Sequence, residues 1–230
     1  WRLMNLEERK GILRFPKATF ERLKIYHSLL TQLQNEGNVK YISSDEIADM
    51  LRITPEQVRK DFSFLETNGK PKVGYYIPEL LAELDELFGT KDRDNIIIIG
   101  AGHLGQALAN YKGFKNIGAQ VVAIFDNDPA KIGQMVGELM ILPLKDIPRV
   151  IRRFKVEIAV ICVPESSAQE AADLLVGYGI KAIWNFSTKI LDLPKDIIVQ
   201  NEDITRGLLG IKHMLIERRQ SEAEKSNVTK

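Results

Sequence analysis

"IIIIGAGHLGQALANYKGF", Ile96 to Phe114, decides the fold. Consecutive isoleucines with no charge among them are what a strand buried on both faces requires. The run stops at Gly100-Ala101-Gly102-His103-Leu104-Gly105, a G-x-G-x-x-G, and "QALANY" continues as a helix. In a strand, turn and helix of this kind, Gly100 makes the tight turn and Gly102 lets backbone approach a pyrophosphate. Gly105 lets the helix lie close on the sheet. Phosphates would sit at the helix N-terminus, where unpaired N–H groups and the helix dipole favour anions. The motif acquires meaning from its context: a strand before, a helix after, and an acid about 20 residues on. All three are present, because "AQVVAIFD" reads as a second buried strand ending at Asp126. A carboxylate there accepts hydrogen bonds from ribose hydroxyls and repels a 2′-phosphate. The turn (Gly100, Ala101, Gly102, His103, Leu104 and Gly105) and Asp126 are therefore expected to bind NAD(H) rather than NADP(H).

The alternation continues downstream. "LMILPL", "VEIAVICVP", "IKAIWNFS" and "DIIVQN" read as strands, and "KDIPRVIRRF" and "SAQEAADLLVGYG" as helices. Strands and helices alternating at this length predict a doubly wound parallel sheet. Ligands of such sheets lie outside the carboxyl ends of the strands. Val163, Pro164, Asn185 and Phe186 fall at those ends and are candidates for the nicotinamide side of the pocket. The strand ends "CVP" and "NFS" carry no charge. Burying an unpaired cation costs several kcal/mol, so an apolar pocket prefers neutral NADH to cationic NAD+.

Hydride transfer to a carbonyl needs a proton donor near the nicotinamide. Of the three histidines, His27 lies far upstream, His213 lies in the C-terminal segment, and His103 stands by the phosphates. Tyr111 and Lys115 have the spacing of a reductase pair but follow the first helix instead of a later one. Cys162 lies inside a strand. No catalytic or metal-binding constellation stands out. Two readings remain: a sensor that binds its cofactor without turning it over, and an NAD-dependent oxidoreductase with an interaction domain in front.

The segment before the cradle favours the first. "ATFERLKIYHSLLTQLQNEG", Ala18 to Gly37, is helical by period and ends at glycine. "SSDEIADMLRI" opens with Ser43-x-x-Glu46, a capping box. "TPEQVRKDFSFLETNG" follows at once, with Thr54 as cap and Pro55 in the first turn. Val58, Phe62 and Leu65 form its buried stripe; Glu56, Arg59, Lys60 and Ser63 lie opposite, with Gln57 at the edge. "NGKPKVGYYI" reads as a basic hairpin. Two short helices with a tight joint and a basic hairpin describe a winged helix-turn-helix. Gln57, Arg59 and Lys60 would enter a major groove, and Lys70 and Lys72 would reach phosphates or the minor groove.

Bulk properties agree. A chain of 230 residues holds one large or two small domains, and a net charge of +1 requires any basic surface to be local. The single cysteine excludes internal disulfides and fits a reducing compartment. No apolar run approaches the roughly 20 residues of a membrane span, and no signal-peptide core precedes the first helix, so a cytoplasmic protein is expected.

With both halves in view, the sequence closely resembles the Rex family of redox-sensing transcriptional repressors from about Phe15 to His213. "QVRKDFSF" (Gln57 to Phe64) is the most specific match, joined by "GAGHLGQAL", "FDNDPAKIG", "VPESSAQEAADLLVGYGIKAIWNFS" and the "ISS" containing Ser43 and Ser44. The resemblance implies an α/β chain of three parts: a winged-helix DNA-binding domain over 1–78 with a flexible arm at 1–15, a Rossmann NAD(H)-binding domain over 79–202, and a C-terminal dimerisation helix and tail over 203–230. It implies a homodimer that exchanges this helix, binds inverted-repeat, double-stranded operator DNA when NADH is scarce, and lets go when NADH binds; metal and membrane have no part. NADH and NAD+ are the implied ligands. Ser43 and Ser44 join the DNA-binding residues. Tyr111 and Asp203 match a tyrosine and an aspartate that respond to cofactor at the domain hinge. Characterised members can pair that aspartate with an arginine of the first helix; Ser28 stands there in this chain, and Pro71-Lys72 replaces a more usual Arg-Gly in the wing. The helix itself, Asp203 to Arg219, carries an apolar stripe at Ile204, Leu208, Ile211 and Leu215, and the tail from Arg218 on is expected to fray.

Overall fold

Leu23, Tyr26, Leu30 and Leu33, spaced by three and four, put one stripe of helix α1 (Lys17–Glu36) in an apolar interior. Gly37 ends the helix in the left-handed region, φ 72°. This is a computed structural model, and it describes residues 15–228; the arm expected at 1–15 lies almost wholly outside the described residues. A short strand β1 (Tyr41–Ile42) leads into α2 (Ser44–Leu51) and α3 (Pro55–Phe62). The capping box is formed: the Glu46 N–H donates to Ser43 Oγ (3.1 Å), and the Ser43 N–H to the Glu46 carboxylate (2.7 Å). Thr54 caps α3 through the Gln57 N–H.

The wing keeps the tip of the expected hairpin but not its arms. Residues 70–74 form a tight turn closed by reciprocal bonds between Lys70 and Gly74, both 2.9 Å. The strand after it, β2 (Tyr75–Tyr76), pairs antiparallel with β1 and not with the stretch just before the turn. At Gly74 (φ 94°) a Cβ would stand 2.4 Å from the Ile42 carbonyl, so only glycine lets the chain pass this close to β1.

Helix α4 (Ile77–Phe88) moves the domain boundary. Ile77, Leu80, Leu81 and Leu84 are buried in the same core as Leu23, Ile47, Val58 and Phe62. The chain therefore divides between Lys91 and Asp92, not at 78/79. The amphipathic stripe of α4 finds its apolar partner on α1 and completes the N-terminal unit.

The C-terminal unit is built on β3 (Asp94–Ile99). The others are β4 (Ala119–Asp126), β5 (Met135–Val136), β6 (Leu139–Pro143), β7 (Ile158–Ile161), β8 (Ala182–Asn185) and β9 (Ile198–Asn201). Their order is β5-β6-β4-β3-β7-β8-β9, parallel throughout except for the β5–β6 hairpin. Ile97 and Ile99 join one apolar cluster and Ile96 and Ile98 another, so both faces of β3 are buried. Helices α5 (His103–Ala109), α6 (Ile147–Phe154) and α7 (Glu165–Gly177) make the crossovers. The chain winds to one side of β3 and then returns to the other, which puts the topological switch point between β3 and β7. Helix α8 (Thr205–Val228) continues past Arg219 through most of the tail expected to fray.

One buried carboxylate ties α3 to α1. Asp61, fully buried, accepts from Arg22 Nε (2.6 Å) and Nη2 (2.8 Å) and from the Tyr26 hydroxyl (2.8 Å). Burial alone pushes its pKa up, but the Arg22 and Tyr26 hydrogen bonds outweigh it and hold the carboxyl below the usual range. Removing one partner of such a pair strands the other, and Asp61→Ala is expected to destabilise the N-terminal unit by about 3–5 kcal/mol in urea unfolding. Because the folded-state pKa is depressed, the carboxylate's stabilisation is complete above about pH 4 and is lost as pH falls through the folded value. The wild type should therefore lose stability on acidification below about pH 4 more steeply than Asp61→Ala.

Candidate functional site

The glycine turn between β3 and α5 is shaped by three different constraints. A Cβ at Gly100 (φ 102°) would lie 2.6 Å from the Cys162 carbonyl, and one at Gly105 would lie 1.9 Å from the Gly100 carbonyl. These two glycines are required by the turn itself. A Cβ at Gly102 would meet nothing within 4 Å; the fold leaves space there, as a backbone site for a bound phosphate requires. No side chain caps α5, which leaves its first N–H groups available.

Asp126, at the end of β4, is more occupied than the sequence reading supposes. Its Oδ2 accepts from the Ala101 N–H (2.7 Å) and from Lys131 Nζ (3.1 Å), and its Oδ1 from the Asp128 N–H (2.9 Å). Burial raises its pKa, but the Asp128 and Ala101 N–H groups and the Lys131 amine together hold it below the usual range. The carboxylate thus clamps the glycine turn, and Oδ1 keeps one acceptor position for a hydroxyl.

A cavity of about 730 Å³ opens at this point. Gly100, Gly102, His103 and Leu104 line it, together with Asp126, Asn127, Asp128, Lys131, Val163 and Pro164. Ala101 and Gly105 are buried behind this lining. The sequence reading missed one wall, made by Ser167, Glu170, Ala171 and Leu174 of α7. Their three- and four-residue spacing marks one helix face, and that spacing was available in "SAQEAADLL". Lys131, in "FDNDPAKIG", was also missed. Cys162 lines the cavity too, and burial pushes its thiol up to about 12, so it is protonated at neutral pH.

Asn185 and Phe186 do not line the cavity. Asn185 is fully buried; its Nδ2 donates to the Lys189 carbonyl (2.9 Å) and Asn201 Oδ1 (2.8 Å), and its Oδ1 accepts from the N–H (3.0 Å) and hydroxyl (2.7 Å) of Ser187. It staples the ends of β8 and β9. Phe186 lies against Trp184, ring centroids 4.7 Å apart. An acid does stand beside the uncharged strand ends: Glu165, next to Pro164, accepts from the Thr188 hydroxyl (2.8 Å). Tyr111 follows α5, is 60% exposed, and stands edge-on to Phe114. Asp203 caps the start of α8 through Thr205, whose hydroxyl and N–H hold its carboxyl below the usual range. Ser28 is exposed on α1.

In the N-terminal unit, Glu56, Arg59, Lys60 and Ser63 form the exposed face of α3, as the period predicts. Arg59 is braced by Glu56 (2.7 Å) and by the buried Ser44 hydroxyl (3.0 Å). The Ser43 hydroxyl is taken up by the capping box. Both serines thus set the frame of α2 and α3. Asp61, although it belongs to the "RKD" run, faces inward. Lys70 and Lys72 are exposed in the wing turn, and Lys72 holds the left-handed region at φ 63°.

The family model described as "CoA binding domain" matches residues 91–189, and that described as "Putative DNA-binding protein N-terminus" matches residues 14–63. The redox-sensing transcriptional repressor Rex 2 of Thermotoga maritima is 48% identical over 204 residues, covering 89% of this chain and 98% of the relative. The redox-sensing transcriptional repressor Rex of Desulforamulus reducens is 38% identical over 193 residues, covering 84% and 91%. Among solved structures, RSP, a Rex-family repressor, in complex with β-NADH has a TM-score of 0.81 at 35% identity, over 91% of this chain and 98% of that one. Its complex with β-NAD+ and operator DNA has a TM-score of 0.80 at 35% identity, over 92% and 97%.

The glycine geometry separates folding from binding. Gly102→Ala is expected to leave thermal unfolding unchanged within about 0.5 kcal/mol while weakening dinucleotide binding by about tenfold or more in calorimetric titration. Gly105→Ala is expected to destabilise the C-terminal unit by about 2–3 kcal/mol, since its Cβ meets a backbone carbonyl that side-chain rotation cannot relieve.

Proposed function

The chain belongs to the Rex family of redox-sensing transcriptional repressors, and from that premise we propose how its two units act. The N-terminal unit binds inverted-repeat operator DNA, and the C-terminal unit binds NADH and thereby releases it. The observation that carries this reading is the joining, in one chain, of a nucleotide-sized cavity at a Rossmann switch point to a helix with outward-facing Arg59 and Lys60.

The cavity residues fit a dinucleotide. Space at Gly102 and the uncapped N-terminus of α5 would receive the pyrophosphate, and Asp126 Oδ1 would accept from the adenosine ribose. Val163 and Pro164 would border the nicotinamide. The nicotinamide supplies the signal: its ring is cationic when oxidised and neutral when reduced. The Val163–Pro164 wall offers that cation no counter-charge and so favours the neutral form. Lys131, at 3.1 Å from Asp126, offsets part of the charge that would repel a 2′-phosphate and so narrows the preference for NAD(H) over NADP(H).

The relatives are named as repressors, and we read this chain likewise as binding its cofactor without turnover. In the cytoplasm it would act as a homodimer. Leu208, Ile211 and Leu215 of α8, and Ile204 just before it, are exposed, and a stripe of this kind is covered when the helix is exchanged with a second copy. Two reading helices must then stand about 34–36 Å apart to occupy successive major grooves. A coupling of about 1–3 kcal/mol between the units, with Tyr111 and Asp203 as its switch residues, gives a 5- to 150-fold change in operator affinity. The exposed Ser28 brings no guanidinium to Asp203, whose carboxylate instead holds Thr205 and lies 3.9 Å from Arg206.

The decisive test is a gel shift with inverted-repeat DNA, with and without NADH. NADH should release the DNA, and saturating operator should weaken NADH binding by the same factor; NADH affinity independent of DNA would overturn the coupling. An oxidoreductase would ignore the DNA and oxidise NADH with a carbonyl substrate. Arg59→Ala should abolish specific DNA binding while leaving NADH titration intact, and NADH should bind more tightly than NAD+.

A further inference from the structure

Asp61 does more than tie two helices together. A carboxylate offers about four acceptor positions and no donor. At Asp61 four donors fill them: Arg22 Nε and the Tyr26 hydroxyl on Oδ2, Arg22 Nη2 and Gln57 Nε2 (3.0 Å) on Oδ1. Gln57 lies four residues before Asp61, on the same face of α3, and is half-buried with Asp61 beneath it. A glutamine amide has a donating and an accepting end of nearly equal size, and its orientation follows from its partners. Here the partner can only accept. The amide nitrogen must face Asp61, because the reverse orientation would set a carbonyl oxygen against a buried carboxylate. The carbonyl oxygen Oε1 is thereby turned away from the interior.

We propose that Gln57, its amide polarity set by Asp61, presents a fixed hydrogen-bond acceptor to the major groove and reads an exocyclic amine there, on adenine or cytosine. This rests on the operator-binding reading above. Gln57 occupies the first turn of α3, its N–H bonded to the Thr54 cap, and the N-terminal residues of a reading helix contact base edges. In the major groove only adenine N6 and cytosine N4 donate; guanine offers O6 and N7, and thymine O4, as acceptors. A free glutamine could meet either kind of group. One tethered to Asp61 has spent one N–H on the carboxylate and holds its carbonyl outward, which favours the amines. Asp61 is a positioning residue in this scheme and Gln57 the reading one.

The test uses full-length protein and operator duplexes in which one amine at a time is deleted, with purine for adenine or 2-pyrimidinone for cytosine. Parallel duplexes carry 7-deazaguanine, which removes an acceptor. Wild type should lose about tenfold in affinity at one amine-deleted position in each half-site. Gln57→Met should bind the intact operator about tenfold more weakly, yet lose less than twofold on deletion of that same amine. Asp61→Asn, checked by thermal unfolding and NADH titration for an intact fold, lets the amide turn over and should lose much of the discrimination. Equal losses in wild type and Gln57→Met at every amine would overturn the proposal, as would a Gln57-dependent loss at 7-deazaguanine. Full discrimination in a folded Asp61→Asn would remove Asp61 from it. A wild type that binds no operator duplex contradicts the repressor reading itself.

Discussion

The hydrogen bond from the Ala101 N–H to Asp126 crosses from the end of β3 to the end of β4, and the sensing unit depends on it. The turn must leave β3 tightly, approach the Cys162 carbonyl at Gly100, and bring α5 down onto the Gly100 carbonyl at Gly105. A peptide forced through two such approaches needs an anchor. Asp126 provides it while holding the chain beyond β4 through Asp128 and Lys131. The acid expected to read a ribose is thus first a structural clamp, with one acceptor position left over. Loss of this carboxylate would disturb the glycine turn and the Asp128–Lys131 side of the cavity together.

The N-terminal unit repeats the device. Asp61 joins residues far apart in sequence, and its burial is tolerated because every acceptor position is filled. Around it, residues that look like DNA contacts divide their labour. Ser44 braces Arg59 from below, Ser43 closes a helix cap, and Lys60 remains directed to solvent. In both units a buried carboxylate converts loop or helix geometry into a fixed presentation of polar groups.

Much of this was legible in the sequence. The isoleucine run, the glycine spacing, the Asp126 distance and the Ser43 and Thr54 caps are local signals, and each corresponds to an element in its expected place. What was not legible depends on partners distant in the chain. Asp61 reads as a surface charge until Arg22, 39 residues earlier, is placed beside it. Asn185 sits at a strand end where ligands gather, but its amide is used by Ser187, Lys189 and Asn201. The stripe of α4 shows that a face must be buried without saying in which domain. The wing shows the same gap: Asn-Gly and two lysines predict a turn, while the strand that β2 pairs with precedes α2 and α3.

The left-handed backbone of Lys72 has a consequence for anyone improving this protein. A side chain in that region costs about 1–2 kcal/mol that glycine does not incur. Selection of variants by melting temperature alone would therefore drift toward glycine at this position. Each step would look like an improvement in heat resistance and would remove a cation from the wing. Thermal tolerance and local positive charge pull in opposite directions at this residue.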